Sequence, residues 1–569
     1  MRASLTLTLP LCLALGGCGA SLGGEADAAS PRDGGTTDGA LDDAASPPDV
    51  DADAPDLDAG APPDAGPRER LIALGDPEAS WVYAGDDDRL AYRSTDDGDR
   101  VPDFSAVGYE ASEVAIPDDV PMIERVEPGS GDDSARIQAA IDRVSMREPD
   151  ASGFRGAVLL ARGRYEVGTT LRIATSGVVL RGEGSGEDGT VLTATGDTQR
   201  DAITLAGSGT LREISGSRRA IADDYVPVGA TWLTLEHTRE LSVGDQVVVY
   251  RPATAEWIAD IGMDRIAGSD VTQWDAASYH LRYEREIVAI DGERVELDAP
   301  IVMAIDARRY ERGALYRSEH TGRIDHVGVE HLRLVSTYRA GMETSDEAHA
   351  WTGVGIDLAE HAWARDVIAE HFGYSAVSVR GGARFVTVED CQCLDPVSQI
   401  TGSRRYSFEV NGQRTLVQRC HARGGRHDYV TGSRVRGPNV FLDCTAEDTH
   451  SDIGPHHRWA TGTLYDDVRG GLINVQDRGD LGSGHGWAGA NHVLWNVEGS
   501  TVVCQQPPTA MNWCIGIVGR HGDGYLDRPD GQWELEGTHA RPESLFLAQL
   551  EDRLGSDAVR AIATDAQLE

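Results

Sequence analysis

The sequence has no lysine, and each of its 52 basic residues is an arginine. That excludes a catalytic lysine and leaves guanidinium as the permanent cation for holding anions. Basic residues are scarce as well, 52 against 93 acidic ones, for a formal charge of −41. A chain so acidic repels phosphate backbones, which disfavours a nucleic-acid partner. No Cys-x-x-Cys pair occurs among the eight cysteines, so a zinc ribbon lacks its ligands. No His-Glu-x-x-His helix occurs either, which removes the corresponding metalloprotease chemistry. Beyond residue 69 no Pro/Gly-rich linker interrupts the chain. A body of roughly 500 residues without a break is long for one ordinary core, and a repeat architecture resolves this because a solenoid lengthens without thickening.

The first 18 residues, MRASLTLTLPLCLALGGC, have a basic start, an apolar run and a small-residue exit. This is the pattern of a secretory signal, too short to span a bilayer. The exit Leu15-Gly16-Gly17-Cys18 resembles the bacterial lipobox. That resemblance implies lipidation at Cys18 and a lipoprotein of the bacterial cell envelope, on the outer membrane or cell surface. Residues 19–68 are mostly Ala, Asp, Gly, Pro, Ser and Thr, too apolar-poor to offset chain entropy, and are expected to form an extended disordered tether.

Alternating apolar and polar strings recur in the second half: HVGVEHLRLVST (326–337), WARDVIAEHF (363–372), RFVTVEDCQC (384–393), TLVQRCHAR (415–423), NVFLDCTAED (439–448) and HVLWNVEGS (492–500). After a longer first step they return at roughly 22 to 30 residues, with a double step before the last, and Cys391, Cys420 and Cys444 fall in register. One strand per turn of a coil, with equivalent residues stacked inside, produces this pattern. Cys504 and Cys514 flank a short loop and offer a loop disulfide in an oxidising compartment; the other cysteines read as core. Upstream, GDDSARIQAAIDRV (131–144) reads as a capped helix with Ile137, Ala140 and Ile141 on one face, and three glycine-broken strands follow. Gly131 to Asp142 and Gly163 to Tyr165 resemble the G-D-D helix and x-G-x-Y strand that open the coil in the pectate-lyase-like, rhamnogalacturonase-like group.

The resemblance covers about 90 residues closely. It implies an all-β, single-stranded right-handed parallel β-helix of pectin-lyase-like type, over residues 69–541, with an N-terminal capping helix. A β-rich insertion is expected near 217–315, where a Gly-Asp and an Asp-Gly turn join antiparallel strings, and a C-terminal capping helix at 542–569. A monomer is expected.

Chemistry concentrates between residues 401 and 460, where nine arginines and five histidines meet six acidic residues. DTHSDIGPHHRWATG (448–462) is its densest part. GGRHDY (424–429), HSDIGPHHRW (450–459) and GSGHGW (482–487) lie about one and two repeats apart, so successive turns would present Arg426 and His427, then His456, His457 and Arg458, then His485. Guanidinium neutralises a carboxylate, and histidine moves protons near neutrality. A lyase of uronate-containing polysaccharides needs both, with Tyr465 or Tyr429 as proton donor and Asp452 and Arg478 nearby.

YDD (465–467) and GSGHG are similar to the Asp-Asp and Gly-His-Gly motifs of polygalacturonase-like hydrolases, which makes Asp466, Asp467 and His485 the alternative apparatus. Its Asn-x-Asp and Arg-x-Lys elements are missing here. A third reading is a glycan-binding surface protein without turnover. Trp459, Trp487 and Trp495 offer platforms for sugar rings in either an enzyme or a binder. No cofactor is required by these readings. Asp443, Glu447, Asp448 and Asp452 offer oxygen ligands for calcium, and His450, His456 and His457 nitrogen ligands for a transition metal.

Overall fold

The computed structural model describes residues 80–85 and 89–568. The signal, Cys18 and the tether lie outside the described residues. No helix among the described residues is long and apolar enough to cross a membrane.

The chain winds into a parallel β-helix with three sheets. Sheet 1 stacks Met122–Val126, Gly156–Leu160 and Val178–Arg181, then the first halves of Ile324–Ser336 and Ala359–Glu370, and continues through Arg384–Glu389 to Gln532–Glu536. Sheet 2 follows each of these strands around one corner, as in Gln392–Leu394 above His421–Arg423. Sheet 3 includes Thr352–Asp357, Ser375–Val379, Tyr406–Val410, His427–Thr431 and Asp452–Pro455. The double step in the repeat is filled by one long strand, Ala460–Val475, which passes through all three sheets.

The corner between sheets 1 and 2 is made the same way on turn after turn. His331, Asp366, Asp390, Arg419, Asp443, Asp467 and Asn496 all sit there with φ between 48 and 57. One left-handed residue bends a strand sharply, and Asp and Asn tolerate that conformation better than most residues. The residue that follows points inward, which places Cys391, Cys420 and Cys444 on successive turns of the core. All six cysteines among the described residues are free and buried, so Cys504 and Cys514 are core thiols and not the loop disulfide that their spacing suggested.

Helix α1 (Ser134–Ser145) buries Ile137, Ala140, Ile141 and Val144 in the same core, against the first strands. The segment before it runs back along the outer face of sheet 1. Trp81 N–H donates to Glu534 on the last turn (3.0 Å), Gly108 N–H to Arg414 O (2.9 Å), and Ala157 N–H on an early turn to Pro121 O (2.8 Å). The C-terminal helix, expected over the open end, packs on this outer face too: α3 (Leu545–Leu554; the short α2, Ala255–Asp260, lies in the insertion) covers Leu416, Leu442, Leu464 and Trp495.

Between Asp201–Ala206 and Ile324–Ser336 the coil is interrupted by an antiparallel sheet reaching from Leu211–Glu213 to Ala314–His320, slightly wider than the sequence implied. The Asp-Gly turn is a hairpin, Asp291 pairing with Arg294 around Gly292 (φ 61). The insertion has its own core and docks through buried arginines. Arg285 donates to Ala299 O, Pro300 O and Gly437 O at 2.9–3.1 Å, and Arg323 bridges Glu284 and Glu360.

Candidate functional site

Three consecutive strands of sheet 3 bring Tyr406, His427 and Asp452 into register, Tyr406 beside His427 and His427 beside Asp452. The chain then leaves the sheet through His456 and His457. Arg458 and Trp459 both take left-handed conformations (φ 56 and 61), and this sharp turn lets His457 stay with the cluster while Trp459 turns under the insertion. Residues 476–488 return as a glycine-rich turn, with Arg458 N–H donating to His485 O at 3.1 Å. Glycine is required here: a Cβ at Gly482 would lie 2.3 Å from the His485 ring, and one at Gly486 2.3 Å from Met263 of the insertion.

Four imidazoles meet as a result. Ring centroids are 4.4 Å apart for His427 and His456, 4.7 Å for His456 and His485, and 5.1 Å for His457 and His485. The Tyr406 ring lies 5.1 Å from His427 and 5.2 Å from His456, and its hydroxyl is 3.0 Å from His456 Nε2. Asp452 is the carboxylate of the cluster. It accepts from His427 Nδ1, from Asn474 Nδ2 (2.6 Å), from Arg478 Nη1 (2.7 Å) and from Ser451 Oγ (3.0 Å). Arg426 Nη1 lies 2.7 Å from His427 Nε2. A guanidinium only donates, so Nε2 must accept, which assigns the proton to Nδ1 and makes His427 neutral. Arg458 anchors the far side through Ser483 Oγ (2.5 Å).

Burial and positive neighbours act together on these histidines. Burial, then Arg478 and Arg458, push His485 down to about 3, and burial with the neighbouring His and Arg groups holds His456 and His457 well below the usual imidazole range. For His427 burial lowers and Asp452 raises, with burial the larger. Burial would raise Asp452, but His427 and Arg478 outweigh it and keep the carboxylate well below its ordinary range. Burial also pushes Tyr406 up to about 12. The cluster at neutral pH is therefore a set of neutral imidazoles and a neutral phenol, with the guanidiniums of Arg426, Arg458 and Arg478 around the Asp452 carboxylate.

A stability signature follows. These histidines regain ordinary values near 6.5 on unfolding, so below that pH the unfolded chain binds protons that the folded chain refuses. Stability is retained above about pH 6.5 and falls by about 1.4 kcal/mol per pH unit for each such histidine as pH drops toward 5. Melting curves at pH 7.5, 6 and 5 measure this, and a flat melting temperature would mean that the imidazoles reach solvent in the folded protein.

The structure thus unites Arg426, His427, Asp452, His456, His457, Arg458, Arg478 and His485, and separates the rest. Tyr465 lies inside the coil, stacked on Phe441 at 5.2 Å, and Tyr429 donates inside it to Cys420 O and Thr445 O, so neither hydroxyl reaches the flank where the histidines lie. Trp459 and Trp487 are 0% and 2% exposed. They wedge between coil and insertion, Trp459 against Trp257 at 5.0 Å and Trp487 Nε1 donating to Ile261 O, and are core, not sugar platforms. Trp495 is buried under α3.

Asp466 accepts from Ser544 Oγ and the Phe546 N–H at the start of α3, while Asp467 pairs with Arg469 on the corner between sheets 1 and 2. Neither faces His485, so the hydrolase-type trio does not assemble. Asp443 lies on that same corner, Glu447 and Asp448 on the next, and Asp452 in the cluster. They do not converge, and no group of three or more His, Cys, Asp or Glu among the described residues is placed to hold a metal.

Tyr406 and Asn474 belong to the site but escape the sequence reading. The strings SAVSV, YSFEV, HDYVT and DIGP (375–379, 406–410, 427–431, 452–455) are a second repeat, offset from the one noted, and aligning them puts Tyr406 over His427.

Two segments flank the cluster, which is itself largely buried, with His427, Asp452 and His456 1%, 3% and 6% exposed. On one side the insertion closes on the 482–487 turn, Thr272 N–H donating to Ser483 O at 3.0 Å. On the other, loops 338–350 and 395–405 are tied together by Arg405, which donates to Glu343 O (3.0 Å) and Ser398 O (2.8 Å).

No family model matches the chain, the pectate-lyase-like group included. No curated protein matches it. Solved structures that resemble it include phage tailspikes. The tailspike gp49 of Pseudomonas phage LKA1 is 15% identical over 68% of this chain and 57% of that one, with a TM-score of 0.40. The gp54 tailspike of Acinetobacter baumannii bacteriophage AP22, in complex with A. baumannii capsular saccharide, is 13% identical over 68% and 54%, with a TM-score of 0.37. The tailspike of E. coli bacteriophage HK620, in complex with a pentasaccharide, is 10% identical over 69% and 50%, with a TM-score of 0.35. The chain spans 50–57% of the length of these tailspikes.

Proposed function

We propose that the protein holds an extracellular polysaccharide along sheet 3 and cleaves it beside a uronate carboxylate by β-elimination, while anchored to the bacterial surface through lipidated Cys18. The observation that carries this reading is the composition of the cluster. Four neutral imidazoles and a phenol stand among Arg426, Arg458 and Arg478, and of the carboxylates beside them among the described residues Asp452 is saturated by four donors and Glu409 is held by Tyr374 and Ser378. Hydrolysis by paired carboxyl groups needs two that are available to the glycosidic bond. Elimination needs none.

In the proposed reaction the guanidiniums neutralise the uronate carboxylate, which acidifies the C5–H bond. His457 or His485 takes that proton, its proton affinity restored when the bound uronate carboxylate offsets the arginines that hold it down in the free protein. The C–H electrons form the C4=C5 double bond as the C4–O bond breaks, and the leaving oxygen takes the Tyr406 hydroxyl proton. Protonated imidazole and phenolate are reset through His456 and solvent. The 1% and 3% exposure of His427 and Asp452 favours a second reading, glycan binding without turnover, since groups this buried serve the fold and do not touch a sugar.

Uronate polysaccharides incubated with the protein should gain near-ultraviolet absorbance in step with new reducing ends, and a chelator should leave the rate unchanged. Reducing ends without absorbance would establish hydrolysis, and binding without either product would establish the second reading.

A further inference from the structure

The accessible edge of the cluster has one more guanidinium, Arg434. It lies one turn of the coil before Arg458, its N–H donating to Arg458 O at 2.8 Å, and both residues take left-handed conformations (φ 58 and 56). The two side chains therefore leave the coil at the same corner on successive turns, about 4.8 Å apart at the backbone. Arg434 is exposed, and Arg458, His457 and His485 are half-buried, whereas Arg478 and Tyr406 are each only 7% exposed. Solvent meets the cluster at its arginine edge.

Acidic residues outnumber basic ones 93 to 52, yet neither of these two guanidiniums forms an ion pair among the described residues. Arg434 donates from Nε to Ser433 Oγ (3.1 Å) and from Nη1 to Ser278 O of the insertion, with its guanidinium carbon 5.6 Å from the Tyr279 ring centroid. Tyr279 is itself fixed, stacked on Trp274 at 4.4 Å. Arg458 donates to Ser483 Oγ (2.5 Å) and Ser483 O (3.4 Å). Hydroxyl and carbonyl oxygens thus hold both side chains in place and leave both charges uncompensated. Arg423 and Arg469, by contrast, each hold a carboxylate, Asp395 and Asp467. Burial, then His485, Arg458, Arg478 and Arg434, hold His457 below the usual imidazole range, so the charge of Arg434 is felt at the proposed base.

Two anchored cations side by side suit one carboxylate, which accepts from both. We infer that Arg434 is a substrate-binding residue, which with Arg458 clamps the uronate carboxylate at the solvent-facing edge of the cluster, beside His457 and His485. Arg426 and Arg478 are then the inner pair, engaged by His427 and by Asp452. The insertion takes part in the site through Ser278 and Tyr279, which set the Arg434 side chain. This rests on the proposed uronate site and adds to it the residue that solvent reaches best.

The test measures binding of polygalacturonate and hyaluronan, each beside its carboxyl-reduced form, to the wild type, Arg434→Asn and Arg560→Gln. Asparagine suits the left-handed backbone at 434, and Arg560, with 59% of its side chain exposed near the C-terminus, controls for the loss of one positive charge. Wild-type protein should prefer the acid form of at least one polymer. Arg434→Asn should weaken that form about tenfold, the worth of a charge-assisted hydrogen bond, and leave the reduced form unchanged; Arg560→Gln should change neither. Unchanged acid-form affinity in folded Arg434→Asn, an equal loss for the reduced form, or an equal loss in Arg560→Gln overturns the inference alone. If Arg434→Asn does not fold, Arg434→Lys is measured in the same way: it keeps the charge and loses the two-pronged contact, so acid-form affinity should still fall, and no fall overturns the inference. A wild type that prefers neither acid form overturns the uronate site itself, and this inference with it.

Discussion

Asp452→Ala is expected to destabilise the protein by about 3–5 kcal/mol and to abolish turnover. The carboxylate is 3% exposed and gathers His427 Nδ1–H, Arg478, Asn474 and Ser451. Removing it leaves the Arg478 guanidinium, itself buried, without its counter-charge. Breaking a buried pair on one side is costlier than replacing both members, so Asp452→Ala combined with Arg478→Met should recover part of the loss. The same substitution leaves His427 Nδ1–H without its acceptor while Arg426 still donates to Nε2, so the tautomer is kept but the ring loses the carboxylate that orients it. Chemical denaturation of the single and double variants measures the effect. A loss below about 1 kcal/mol, the size of an exposed pair, would show that solvent reaches Asp452 and that the cluster is a surface feature.

Much of the coil is legible in the sequence because sheets 1 and 2 are joined by a single left-handed residue. Strand, corner and strand then read as one string of about ten residues, and Cys391, Cys420 and Cys444 mark its phase. Sheet 3 is less legible because loops of unequal length precede its strands, so its period is irregular and Tyr406 looks like an ordinary strand residue. The basic and imidazole members of the site stand out for a different reason: they lie on turns, where polar density needs an explanation.

The failures have one physical origin. A tryptophan in a turn looks like a binding platform until the insertion is docked, and Trp459 and Trp487 are covered by residues about 200 positions away. Asp466 looks like an acidic turn until α3 arrives to place its first N–H groups on the carboxylate. A side chain's partner in a distant segment leaves no local mark.

Tyr406→Phe separates the catalytic reading from the binding one. The change deletes one hydroxyl, whose contact is His456 Nε2 at 3.0 Å, and leaves the ring stack with Tyr374 and His427 in place. The expected stability cost is about 1 kcal/mol, that of one hydrogen bond, and polymer affinity should hardly change. Turnover should fall by about 10²–10⁴-fold, the contribution of a positioned proton donor. The pH profile supplies a second readout. Burial keeps Tyr406 protonated up to about 12 and, with nearby Arg478 and Arg458, keeps His485 neutral down to about 3. Both groups therefore hold their working protonation states throughout the neutral range, and the wild-type rate should be flat between about pH 6 and 9, falling at lower pH only as the fold itself is lost. A fall of less than about tenfold in Tyr406→Phe would remove the phenol from the chemistry, because a hydroxyl that only fills space in a buried cluster cannot change a barrier by much more than its own hydrogen bond.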